Sequence, residues 1–241
     1  MKLFISILLT AAAFILSLTL NANAQFMADD LFILKAGYIP YGIVSFDKGL
    51  KAAGADSPDS KINDIKTTGL SYAVQAEYNL IFGIFRLGLG IEYQRVSADK
   101  FAIEDAEFEK FYNNFLLPVL SIKFAVFEGL YTGAGISGKY LLSADSPMLK
   151  GSEDDPEQGK FDKKMDLWAN YIIGYNLQMT ESISIILEGR FGYNITNKQY
   201  GKITRERPDG TELGKYELSP KTAYDSAVYV GVGIRPGGQG Y

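Results

Sequence analysis

"GLSYAVQAEYNLIFGIFRLGLGIEYQRVS", residues 69–97, contains no His, Cys or Pro and no long apolar run. Its apolar residues Leu70, Tyr72, Val74, Ala76, Tyr78 and Leu80 alternate with Gly69, Ser71, Ala73, Gln75, Glu77 and Asn79. After Ile81-Phe82-Gly83 the pattern resumes, with Phe85, Leu87, Leu89, Ile91 and Tyr93 set against Arg86, Gly88, Gly90, Glu92 and Gln94. Successive side chains of a strand point to opposite faces, so a period of two describes two strands joined by a tight turn, each with one greasy and one polar face. The two choices of inward face describe two different proteins.

The same alternation recurs along the chain. In 166–180, Leu167, Ala169, Tyr171, Ile173, Tyr175, Leu177 and Met179 oppose Asp166, Trp168, Asn170, Ile172, Gly174, Asn176 and Gln178. In 183–196, Ile183, Ile185, Leu187, Phe191, Tyr193 and Ile195 oppose a set that includes Ser184, Glu188, Arg190 and Asn194. In 222–235, Tyr224, Val228, Val230, Val232 and Ile234 oppose Asp225, Ala227, Tyr229, Gly231, Gly233 and Arg235. The segments 31–46, 67–80, 84–97, 111–124, 130–143, 166–180, 183–196 and 222–235 therefore read as eight strands.

Their connections alternate in length. Short ones at 81–83, 125–129 and 181–182 separate long polar ones at 47–66, 98–110, 144–165 and 197–221. Long irregular loops are unusual in compact domains. In an up-and-down meander, alternate connections share one end. An even strand count with tight turns at one end and long loops at the other is the plan of an outer-membrane barrel, with both termini on the short-turn, periplasmic side. Arg207-Pro208-Asp209-Gly210 is a turn signal flanked by Tyr200, Ile203, Leu213 and Tyr216, so the last hairpin extends beyond the wall. Residues 103–110 read as open loop or a short surface helix.

In a soluble barrel the apolar set would line the cavity, and the exterior would be crowded with Lys, Glu and Thr. Here the polar set is small residues punctuated by single charges, which suits a narrow lumen. The apolar set carries Tyr38, Tyr78, Tyr93, Tyr112, Tyr193 and Tyr224, read as near strand ends, as expected of aromatic girdles around a lipid-facing band. Apolar-out sends Lys35, Glu77, Arg86, Glu92, Lys123, Lys139, Glu188, Arg190, Asp225 and Arg235 to the interior as a polar network, with Asp166 at its rim. Buried charges require partners. Glu77 and Arg86, beside one short turn, form a candidate cross-strand pair. Eight strands enclose a lumen that side chains can fill, so a plugged barrel without a diffusion pore is expected.

Bulk properties agree. In the 241-residue chain, Lys2, an apolar run from Leu3 to Leu20 and Ala22-Asn23-Ala24 have the form of a secretory signal peptide, residues 1–24, with the barrel domain at 25–241. With no Cys, an exported chain folds without disulfides. The formal charge of −4, one unit more negative without Lys2, argues against nucleic acid as a partner. After Leu20 no apolar run is long enough for a spanning helix, so membrane residence would require a barrel.

Several stretches resemble a known group, the small bacterial outer-membrane β-barrel proteins, also described as porin-family or outer-membrane β-barrel-domain proteins. They are Lys35-Ala36-Gly37-Tyr38, Leu87-Gly88-Leu89-Gly90-Ile91-Glu92-Tyr93, Phe115-Leu116-Leu117-Pro118-Val119-Leu120-Ser121-Ile122-Lys123-Phe124 and Gly231-Val232-Gly233-Ile234. Pro118 inside an apolar strand, followed by Lys123, is the most distinctive, and a bulge is expected there. The resemblance implies an all-β, eight-stranded antiparallel up-and-down transmembrane β-barrel with no catalytic residues. It also implies outer-membrane lipid or lipopolysaccharide and the barrel-assembly machinery as partners, with a surface ligand or host protein at the loops. Such chains commonly finish their last strand on an aromatic; here Gly237-Gly238-Gln239-Gly240 precedes Tyr241.

The chain has no His, so neither a Ser–His nor an Asp–His hydrolase can be built, and His- or Cys-bearing zinc sites are excluded. Ser45-Phe46-Asp47-Lys48 and Ser97-Ala98-Asp99-Lys100 match Ser-x-x-Lys but sit at strand borders rather than on helices. Ser152-Glu153-Asp154-Asp155-Pro156-Glu157 reads as a solvated acidic loop, since its spacing is not that of an ordered Ca²⁺ loop. The sequence thus leads to no cofactor, no metal and no enzyme. It leads to a structural or surface-interaction role through long loops, with a small pore and a soluble ligand-binding periplasmic barrel as the alternatives.

Overall fold

β-Branched and aromatic residues at every second position favour a pleated, half-buried surface, and eight such segments close on themselves. A computed structural model of the protein describes residues 30–46, 51–52, 63–81, 84–103, 106–151, 155–162, 165–198 and 200–235. Residues 1–24, read above as a leader, and Gln25, Asp47 and Lys48, Phe82 and Gly83, Ser152 to Asp154, and the tail from Gly237 lie outside the described residues. In chain order the strands are β1 (Leu31–Phe46), β2 (Lys51–Ala52), β3 (Ile65–Ile81), β4 (Phe85–Ala98), β5 (Phe101–Ile103), β6 (Ala106–Phe108) and β7 (Phe111–Phe127). They continue as β8 (Leu130–Ala144), β9 (Gln158–Phe161), β10 (Met165–Gln178), β11 (Ile183–Asn194), β12 (Lys202–Glu206), β13 (Glu212–Glu217) and β14 (Pro220–Ile234).

Eight of these form a closed antiparallel barrel in the order β1-β14-β11-β10-β8-β7-β4-β3, a meander in which every barrel strand pairs with its neighbours along the chain. Closure comes from β1 against β14, running from Phe32↔Ile234 to Phe46↔Pro220. The β7–β8 turn is tight, and Gly129 adopts φ 76° there, a conformation open to glycine without steric cost.

The wall has two opposite faces. Leu34, Leu70, Leu120, Ile136, Ile173, Leu187, Val230 and Val232 are exposed on the outside, whereas Ser71, Gln75, Glu92, Gln94, Ser121, Lys123, Asn170 and Glu188 are buried within. Aromatic residues collect near both ends of the outer face. Tyr41 lies 6.0 Å from Tyr224, which lies 6.0 Å from Phe191, at the long-loop end. Phe85 and Phe124, 6.4 Å apart, mark the short-turn end. Tyr38 sits mid-strand instead of near a strand end, paired with Val228 and Leu70.

Three local features differ from the sequence expectations. Register shifts at Tyr38/Tyr41 and Ile39/Gly42 place a bulge in β1, so the inward parity changes from Lys35 and Ile39 to Gly42 and Val44. Pro118 carries no bulge. It pairs with Ile91 in unbroken register, and the shifts in the β7–β8 pair lie elsewhere, between Asn114 and Phe115 and between Ala125 and Phe127. Proline has no N–H to give, and the β7–β8 ladder simply skips from Leu116↔Tyr140 to Val119↔Ser137. Finally, residues 101–103 and 106–108 form the antiparallel pair β5–β6 in place of open loop or helix, because Phe101 and Phe108 stack at 4.9 Å and both face the same core.

The long connections build a second tier. The sheet β2-β13-β12-β9 stands beyond the barrel, with β12 and β13 joined through Arg207-Pro208-Asp209-Gly210. β9 meets the 148–149 segment through Met148↔Gln158, and that segment meets β6 through Phe108↔Leu149. Beneath this array Phe101, Phe108, Phe111, Phe161, Trp168, Tyr200, Ile203 and Tyr216 form a continuous buried cluster across the long-loop end of the lumen.

Candidate functional site

The lumen is too narrow for two large side chains at one level, and small residues make way for large ones. A Cβ at Gly37 would run into the Tyr229 ring, and one at Gly174 into the Tyr131 ring. Around these rings the interior charges are arranged in tiers.

The lowest tier alternates in sign. Lys35 pairs with Glu188, whose other oxygen takes the Lys123 ammonium. Lys123 also donates to Glu77 Oε1 at 2.7 Å, and Arg86 approaches Glu77 Oε2 at 3.8 Å. The Tyr131 hydroxyl donates to Glu188 at 3.0 Å. Lys35, Glu188, Lys123, Glu77 and Arg86 thus come from β1, β11, β7, β3 and β4, and three cations share two carboxylates.

The middle tier centres on Glu92. Its Oε1 accepts hydrogen bonds from Ser71 Oγ at 2.6 Å, Gln94 Nε2 at 2.7 Å and the Tyr229 hydroxyl at 2.8 Å, while Oε2 takes the Arg190 guanidinium. A carboxylate with this many donors is held in one orientation. Tyr229 joins the tiers, since Lys35 lies 4.7 Å and Arg190 5.3 Å from its ring centre. Above it, Lys139 reaches Asp225 at 3.3 Å and lies 4.6 Å from the Trp168 ring and 4.8 Å from Phe115. At the rim Asp166 accepts from Asn194 at 2.9 Å, Thr196 at 2.8 Å and the Lys198 backbone at 2.7 Å.

Of the ten residues singled out from sequence, Lys35, Glu77, Glu92, Lys123, Lys139, Glu188, Arg190 and Asp225 converge in the lumen with side chains at most 8% exposed. Arg86 is about one-quarter exposed, and Arg235 lies just beyond β14 at the rim, donating to the Glu181 carbonyl at 3.4 Å. Glu77 and Arg86 are not directly opposed, because Glu77 pairs with Gly88 and Arg86 with Asn79. The nearer cation of Glu77 is Lys123, from β7. Tyr131, Trp168 and Tyr229 complete the network, and each is an aromatic on the polar-facing side of its strand.

At the short-turn mouth a cavity of about 300 Å³ opens below the lowest tier, lined by Arg86, Arg235, Lys123, Glu77 and Glu128 among others. The other mouth is covered by the aromatic cluster. Among the described residues no group of three or more acidic side chains is disposed to hold a metal ion.

Outside the wall, the charges of the second tier pair at or near its surface. Arg207 binds both Asp155 oxygens at 2.9 and 2.8 Å, and Arg205 pairs with Glu157. Hydrogen bonds from Lys100 and Lys150 hold the Glu107 carboxyl below its ordinary range. Asp209 is likewise lowered, chiefly by the Thr211 backbone N–H in the β12–β13 turn.

No protein-family model matches the chain, and no curated protein matches it. Among solved structures it is similar to the outer membrane protein OprG from Pseudomonas aeruginosa, at 14% identity over 85% of this chain and 94% of that one, with a TM-score of 0.47. It is also similar to the outer membrane protein AlkL in DMPC lipid bilayers, at 12% identity over 88% and 93% of the two chains, TM-score 0.47. Neisserial surface protein A aligns at 11% identity over 85% and 96%, TM-score 0.40. Likeness of this degree reaches no further than the course of the chain, and the site rests on its own geometry.

Proposed function

We propose that this protein is an integral outer-membrane β-barrel without enzymatic activity, whose filled wall carries a rigid surface tier for interaction. One observation carries the membrane reading: burial is inverted. Val228 at 59%, Val230 at 57% and Ile173 at 47% exposure stand on the outside, while Lys123 and Glu92 are 1% exposed within. In water such an exterior would be an aggregation surface; in hydrocarbon it is the matching solvent, and a closed barrel leaves no backbone edge unpaired there. Both described ends, Asp30 and Arg235, lie at the short-turn end, the periplasmic side in this reading. The lumen is crossed by ion pairs and covered by aromatic packing, which supports a scaffold over a channel. The tier of β2, β13, β12 and β9 is a firm platform, and binding residues are commonly presented from loops on such scaffolds.

Membrane fractionation with heat-modifiable gel mobility tests the placement. The protein is expected in the outer-membrane fraction with a folded band that shifts on boiling; a uniformly aqueous product would overturn the reading. Leu187→Arg on the outer face should cost about 2–4 kcal/mol of folding free energy in lipid vesicles. In planar bilayers a steady conductance of porin size would rule out the filled lumen.

A further inference from the structure

The lowest interior tier is unbalanced. Its ion-pair chain begins and ends on a cation: Lys35 at one end, Arg86 at the other. Lys123 at 2.7 Å and Gln75 at 3.2 Å both engage Glu77 Oε1, while Arg86 stands 3.8 Å from Oε2, an ion pair beyond hydrogen-bond reach. Arg235 faces the same cavity, and among the described residues its side chain has a single long hydrogen bond, to the Glu181 carbonyl. Two under-occupied guanidinium groups, backed by the Lys123 ammonium, thus line a cavity of about 300 Å³ that opens at the short-turn mouth. Among the described residues the one further carboxylate in the lining is Glu128, on the exposed β7–β8 turn. A guanidinium presents several N–H groups in a plane matched to carboxylate or phosphate oxygens, and low-dielectric walls strengthen that attraction.

We propose that the cavity is a binding site for a small anion, a phosphate- or carboxylate-bearing molecule held between Arg86 and Arg235. The bound anion supplies the negative charge that the Lys35–Glu188–Lys123–Glu77–Arg86 chain lacks. Glu128 opposes it and tunes its affinity. The site stands on the cavity geometry and is testable in detergent, independently of where the barrel resides.

The test is isothermal titration of the full chain, refolded in neutral detergent at low salt, with pyrophosphate and with citrate. Saturable binding of one equivalent of at least one probe is expected. Arg86→Gln and Arg235→Gln should each weaken it about tenfold or more, the scale of a charge-assisted contact. Glu128→Gln, on an exposed turn where folding is not at stake, should tighten it several-fold. Repeating the titration in neutral phosphatidylcholine vesicles and in anionic phosphatidylglycerol vesicles separates the sources. Binding in both supports a soluble anion, whereas binding lost only in the anionic vesicles supports a lipid headgroup in the same site. Absence of saturable binding in neutral detergent, or equal affinity in wild type and all three variants, would overturn the proposal.

Discussion

Two levels of this barrel's lumen are filled by opposite means. At the long-loop end, Phe111, Phe161 and Tyr200 meet at 4.9 to 6.3 Å and close the lumen with rings. Below them, Glu188 and Glu92 close it with carboxylates clamped by Lys, Arg and Tyr. Ring packing is cumulative: each contact adds a little, and the loss of one ring leaves the others in place. A buried ion network is all-or-nothing, because removing one member strands its partners as uncompensated charges in a low dielectric.

The sharpest way to break the comparison is Glu188→Ala. It strands Lys35 and leaves Lys123 on Glu77 alone, and should cost about 3–5 kcal/mol in urea titrations of vesicle-inserted protein. Adding Lys35→Met and converting position 188 to Leu should restore most of that loss, because replacing a buried pair with apolar side chains is often neutral or favourable. If Glu188→Ala is silent, the charges do not act as a unit. Next comes Phe161→Ala, which removes a ring packed on Phe101, Phe111 and Tyr200. A loss of about 3 kcal/mol is expected, confined to the second tier: protease should gain access at 155–162 while the heat-modifiable band persists. Collapse of the barrel itself would show that the two levels are one cooperative unit.

The smallest effect is electrostatic and lies outside the wall. Glu107 has a folded-state pKa below its unfolded one, held there by Lys100 and Lys150. Its contribution is therefore fully present above the unfolded value and is lost as pH falls through the folded value. Hydrogen exchange of β5 and β6 should quicken on acidification through the carboxylate range, and Glu107→Gln should abolish that dependence while the barrel strands stay protected.

The wall was legible because its code is local. Leu70 to Leu80 against Ser71 to Asn79 states strand, face and turn within a dozen positions, and the observed β3 and β4 follow it closely. The bulge at Ile39 and Pro40 was hidden because both flanking stretches alternate well on either phase. The second tier was hidden for another reason. Phe101, Phe161, Ile203 and Tyr216 sit in long, charged connections, and their shared core exists only once three separate connections meet. Membership of the ionic network could be read from parity, but its pairing could not. Lys123 and Glu188 are 65 positions apart and meet across the lumen, where barrel closure and stagger decide who faces whom.

The alternating chain of charges also bears on how the barrel assembles. Sliding one strand past its neighbour by a single residue turns every side chain to the other face. For β11 that slip would drive Glu188 and Arg190 outward and pull Leu187 and Phe191 into the lumen. Because the lowest tier draws one charge from each of five strands, a misregistered or still-open intermediate leaves charges without partners wherever it is wrong. The interior thus checks the register of its own wall, because a strand that slips by one residue loses its charge partners.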